Sequence, residues 1–92
     1  MASEIFDETV NILLVDDQPG KLLAYEAILD GVNANLIKAT TAEEALTALL
    51  KTEIAVILMD LCMRDADGFE LAAMILNHPR HQKTAVIFIS AV

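Results

Sequence analysis

The chain has 92 residues, 55% of them hydrophobic, and its 14 Asp and Glu against 6 Lys and Arg leave a formal net charge of −8. That length makes one small domain able to bury only a modest share of its surface, and so acidic a balance lacks the basic footprint that a phosphate backbone demands, which argues against nucleic-acid binding. No apolar run is long enough to cross a bilayer, the start lacks the positive-then-apolar character of a secretory signal, and a lone cysteine, Cys62, cannot close an internal disulfide, so a cytoplasmic protein is expected.

Residues 1–10 read as an acidic lead-in, in which Ile5, Phe6 and Val10 could dock on apolar surface, and 11–92 as one domain. Asn11 to Asp17, NILLVDD, is a short, nearly all-apolar run of strand length. A helical pattern follows in PGKLLAYEAILDG, with Pro19 suited to a first turn and Gly31 to a stop. Ala34 to Ala39 predicts a second strand. In TAEEALTALLK, Thr41 and Glu44 have the spacing of a capping box at a helix start.

Glu53 to Asp60, EIAVILMD, is the most strongly apolar strand candidate. Beyond a loop, Asp67 and Glu70 repeat the capping spacing before GFELAAMILNH, whose Phe69, Ala72, Ala73 and Leu76 are expected on one helical face. Pro79 ends that helix, and His78 and His81 flank it in what reads as a solvated polar loop. Met59, Met63 and Met74 read as core or loop packing. TAVIFISAV supplies a fourth strand, for an order of β-α-β-α-β-α-β without repeats or low-complexity linkers.

Strands that read as continuous apolar runs are buried on both faces, the mark of a parallel sheet with helices above and below. Right-handed crossovers bring every strand's C-terminal end to one edge, where such sheets bind ligands. Acids lie at that edge: Asp16 and Asp17 end the first run, Asp60 ends the third, and Ser90 lies near the end of the fourth. Any one Asp after a strand is more often a cap or turn residue. With the first and third strands adjacent, however, three carboxylates would share one cleft and repel one another. A hard divalent cation is the natural complement, and Mg²⁺ takes one or two carboxylates with water and phosphate oxygens. A phosphate donor could follow the cation, and a carboxylate can accept its phosphoryl group.

ILLVDDQP, VILMDLCMRDADGFEL and VIFISA together resemble, in order and spacing, the receiver domain of bacterial two-component response regulators, over Asn11 to Val92. The resemblance implies an α/β, flavodoxin-like, doubly wound parallel sheet in the order 2-1-3-4-5, which makes the first and third strands neighbours. It implies that Asp60 takes a phosphoryl group from a histidine kinase or phosphotransfer protein, and that Mg²⁺ is held by Asp16, Asp17, Asp60 and the backbone carbonyl of Cys62. Ser90 matches the hydroxyl residue that contacts the phosphoryl group, and Asp67 and Gly68 match the pair opening the third helix. Such a domain is a signalling switch rather than an enzyme, with at most self-phosphorylation and self-dephosphorylation.

Two departures stand out. Where the family usually has Pro, this chain has Arg64, whose guanidinium either pairs with the phosphoryl group or points into water. The pattern also stops after the fourth strand, so the sheet is expected to be incomplete, lacking the fourth helix, fifth strand and fifth helix. The lysine that ends the family's fifth strand has no counterpart, because Lys21, Lys38, Lys51 and Lys83 lie at other places in the pattern. An exposed apolar edge on the fourth strand then predicts a homo-oligomer. Two other readings stand beside the phosphoacceptor: an interaction or dimerisation module that is not phosphorylated in this form, and, ranked last, an aspartyl-phosphate phosphatase, whose second acid would fall where Cys62 stands.

Overall fold

The apolar runs form strands and the amphipathic runs form helices. The computed structural model describes residues 9–64, 66–81 and 83–89. Strands β1 (Val10–Val15), β2 (Ala34–Ala39), β3 (Val56–Asp60) and β4 (Ala85–Ile89) make one sheet in the order β2-β1-β3-β4, with every pairing parallel. Helices α1 (Pro19–Ile28), α2 (Ala42–Lys51) and α3 (Gly68–Asn77) connect them, and a 3-10 turn (Pro79–His81) precedes β4. Among the described residues no helix is long and apolar enough to cross a membrane.

The sheet is covered on both faces, and side-chain alternation assigns each residue to one of them. Leu13 and Val15 of β1 join Ile57 and Met59 of β3 beneath Ala45 and Leu49 of α2 and Leu71 and Ile75 of α3. Ile12 and Leu14 pack on the opposite face with Leu22 of α1, beside the half-buried Tyr25, Val56 and Leu58. β4 forms one side of the sheet among the described residues, with Ile87 half-exposed.

Local chemistry sets the helix ends. α1 starts at Pro19, whose missing N–H costs nothing in a first turn, and the chain turns back after α1 through Gly31 at φ 94°, a backbone region that side chains disfavour. Thr41 caps α2 by accepting the Glu44 N–H at 3.0 Å. The return half of the capping box is displaced by one residue: the Glu44 carboxylate takes the Thr40 N–H at 2.7 Å and its hydroxyl at 2.8 Å. Those bonds to the charged form lower the Glu44 proton affinity.

Several expectations need correction. β3 begins at Val56 rather than Glu53, because the Glu53 carbonyl is taken by the Asn11 side chain at 2.8 Å instead of by a strand. Asp67 caps α3 through the Phe69 N–H at 2.8 Å, one residue short of the capping-box target. The buried stripe of α3 is Gly68, Leu71, Ala72 and Ile75, so of the expected face only Ala72 is buried, and Phe69, Ala73 and Leu76 are exposed. Phe69 is 61% exposed, its ring tilted against Phe88 at 5.0 Å on the flank of the sheet. His81 is buried rather than solvated, since the 3-10 turn folds it inward between the His81 N–H bond to His78 and the Thr84 N–H bond to His81. Met59 and Met63 are core residues, whereas Met74 is exposed.

Candidate functional site

Strand register builds the site. Val15 pairs with Met59, so one step further brings Asp16 level with Asp60 at the C-terminal edge of the two central strands. Alternation puts both carboxylates on the α1 face, in phase with Ile12 and Leu14 on one strand and Val56 and Leu58 on the other. Asp17 follows at the start of the loop to α1. Asp16, Asp17 and Asp60 each present a carboxylate oxygen within 4.8 Å of the others, and Asp16 and Asp60 are only 0% and 6% exposed. The sequence-predicted acidic triad is therefore assembled.

Such a concentration of charge is held by donors aimed at it. Asp16 Oδ1 accepts the Gln18 N–H at 2.9 Å, and Asp16 Oδ2 accepts the Tyr25 hydroxyl at 2.9 Å. Asp60 Oδ1 accepts the Cys62 N–H at 3.3 Å. Asp17 Oδ2 accepts the Arg64 N–H at 3.0 Å and lies 3.7 Å from Arg64 Nε. A proline at position 64 would have no N–H to give, so here the loop after β3 is tied to the loop after β1 by a bond that a proline cannot make. The Arg64 side chain itself is 90% exposed.

α3 fixes the loop after Asp60 from below. The Gly68 N–H donates to the Leu61 carbonyl at 3.2 Å, and Cys62 and Asp67 form an isolated antiparallel bridge. A Cβ on Gly68 would lie 2.8 Å from the Asp60 carbonyl oxygen and 2.9 Å from the Leu61 Cα, so only glycine lets α3 sit this close. Gly68 thereby sets the height of the loop that carries Cys62.

Of the other residues singled out in the sequence, Lys38 pairs with Glu26 at 3.0 Å. Ser90 lies outside the described residues. Tyr25 is the participant that the sequence reading missed. Its ring belongs to the apolar face of α1, and burial, the hydrogen bond to Asp16 and the Asp16 and Asp60 charges push its hydroxyl up to about 12. The signal was present in its spacing from Leu22, three residues earlier on the helix, and in the alternation that turns Asp16 toward that helix.

Three carboxylates from two adjacent strands make a hard, oxygen-only donor set, which suits Mg²⁺ rather than a soft transition metal. Comparisons with known proteins bear on the family and the fold. Residues 12–92 match the family model for the response regulator receiver domain. The positive alginate biosynthesis regulatory protein of Pseudomonas aeruginosa is 34% identical over 89% of this chain, and response regulator Rre1 of Synechocystis is 31% identical over 91% of it. The chain spans only 34% and 37% of those two proteins' lengths. The N-terminal domain of a response regulator receiver protein from Methanoculleus marisnigri superposes with a TM-score of 0.84 at 29% identity, covering 92% of this chain and 69% of that one. With its fold, its acidic edge and its sequence all pointing the same way, the chain belongs to the response regulator receiver domain family.

Proposed function

We propose that Asp60 is a phosphoacceptor, served by Mg²⁺ held on Asp16, Asp17, Asp60 and the backbone carbonyl of Cys62. The observation that supports this most is the convergence of the three carboxylates within 4.8 Å, a cluster that costs stability unless a cation joins it. When bound, such an ion neutralises charge on the transferring phosphoryl group. An Asp60 oxygen attacks the phosphorus of a phosphohistidine on a histidine kinase or phosphotransfer protein. The new O–P bond forms as the P–N bond breaks, and the electron pair stays on the imidazole nitrogen, which then takes up a proton.

Ser90 is assigned the phosphoryl-contacting role by its place in the family's pattern. Arg64 is an accessory cation at the rim, its guanidinium 3.7 Å from the Asp17 carboxylate. The domain works in the cytoplasm as a switch, without contacting nucleic acid itself, and its own chemistry is limited to gaining and losing the phosphoryl group. Phosphoramidate, whose P–N bond imitates phosphohistidine, tests this reading. With Mg²⁺ the wild type is expected to gain the mass of one phosphoryl group, and Asp60→Asn or chelator is expected to abolish the gain. An equal gain in Asp60→Asn would reject the assignment.

A second reading rests on β4, whose Ile87 is 50% exposed and whose pairing among the described residues is with β3 alone. Apolar strand edges template pairing with another chain, so this alternative is an interaction or dimerisation module that associates through β4 and is not phosphorylated in this form. Light scattering is expected to show a mass that rises with concentration, and a constant monomer mass would contradict it.

A further inference from the structure

We propose that Tyr25 is a positioning residue of the acidic site, its hydroxyl turning the Asp16 carboxylate so that the remaining lone pairs face Asp17 and Asp60, where a divalent cation is held. This rests on the cation-binding reading above. Asp16 is fully buried, and among the described residues each of its oxygens has a donor, the Gln18 N–H on Oδ1 and the Tyr25 hydroxyl on Oδ2. A donor on each oxygen fixes the rotation of the carboxylate. Without Tyr25, Oδ2 would lose the bond that sets its direction, and the carboxylate would swing about the Gln18 contact.

The rest of the Tyr25 side chain has an ordinary explanation and the hydroxyl does not. Its ring packs on the Ile12, Leu14 and Leu22 cluster, as an apolar residue of α1 should, and a leucine or phenylalanine would fill that role. The hydroxyl instead reaches nine residues back along the chain, from α1 to the end of β1. A neutral donor suits the task. A lysine or arginine in its place would compete with the cation, whereas a hydroxyl orients the carboxylate and leaves its charge available. Groups that orient a metal's ligands in this way typically govern its affinity by about 10- to 100-fold.

Tyr25→Phe removes the hydroxyl and keeps the ring. Mn²⁺ is the probe, its affinity measured by titration calorimetry and by the paramagnetic signal of the free ion, with circular dichroism confirming the fold. The variant is expected to bind Mn²⁺ about 10-fold or more weakly. Leu29→Ala, which loosens the same α1 contact without touching a polar group, is expected to keep wild-type affinity. Equal Mn²⁺ binding in Tyr25→Phe and wild type would overturn the role. So would an equal loss in Leu29→Ala, which would reduce the effect to helix packing. Failure of the wild type itself to bind Mn²⁺ would overturn the cation reading and this role with it.

Discussion

Replacing Asp60 with Asn should stabilise the metal-free protein while abolishing its response to Mg²⁺. Two unit charges 4.8 Å apart repel by about 3.5 kcal/mol at an effective dielectric constant of about 20. Asp60 takes part in two such pairs, one with Asp16 and one with Asp17. Part of that cost is already offset, since the Gln18, Cys62 and Arg64 N–H groups and the Tyr25 hydroxyl all donate into the cluster. An Asn can keep the oxygen that accepts from Cys62 while shedding the charge. The net gain should therefore be about 1–3 kcal/mol, a large share of the stability of a domain this small. Urea unfolding followed by circular dichroism, with and without Mg²⁺, reads both effects. At a Mg²⁺ concentration 100 times its dissociation constant the wild type should gain about 2.7 kcal/mol, and Asp60→Asn much less. An Asn variant less stable than wild type in chelator, or equally stabilised by Mg²⁺, would refute the reasoning.

Other substitutions probe the elements that hold the site. Gly68→Ala should cost about 1–3 kcal/mol in urea unfolding, because a Cβ 2.8 Å from the Asp60 carbonyl forces α3 off the loop and outweighs the better helix propensity of alanine. Unchanged or raised stability would show that the approach is not tight. Thr41→Ala should cost about 1 kcal/mol by the same assay, through loss of the Glu44 N–H cap. His81 contributes a pH dependence: burial, with His78 and Arg80 beside it, lowers its proton affinity below the usual value near 6.5. The unfolded chain then binds the proton more readily, so His81's contribution is complete above about pH 6.5 and is lost as pH falls toward the lowered folded value. Urea midpoints measured between about pH 7.5 and about pH 5 should fall less steeply for His81→Gln than for wild type. Glu44 acts in a lower window, its contribution present above about 4.5 and lost as pH falls through its depressed folded value.

The strand plan was legible because buried parallel strands leave short apolar runs, and two of them, β1 and β3, end in acids. Asp16 and Asp60 could be assigned to one cleft from that trace alone once β1 and β3 were neighbours. The face of α3 was not legible, since GFELAAMILN is apolar almost all round and its periodicity cannot choose which stripe is buried. The close approach of Gly68 to the Asp60 and Leu61 backbone makes that choice, and it is a tertiary contact. Arg64 shows a related limit: the sequence drew attention to its side chain, whereas the bond it makes to Asp17 at 3.0 Å comes from its backbone N–H. His81 escaped because a polar residue just past a helix-ending proline reads as loop, and only the 3-10 turn buries it. Tyr25 was hidden for a different reason. Its ring packs as an apolar residue of α1 beside Leu22, so nothing prompted a question about its hydroxyl.

The most direct test of the central claim locates the phosphoryl group itself. The chain is treated with a small acyl phosphate and Mg²⁺ and reduced with borohydride, which converts an aspartyl phosphate to homoserine, and its peptides are then sequenced by mass spectrometry. Homoserine is expected at position 60, and absent when Mg²⁺ is chelated. Homoserine at another aspartate, or none in a folded chain that binds Mg²⁺, would contradict it.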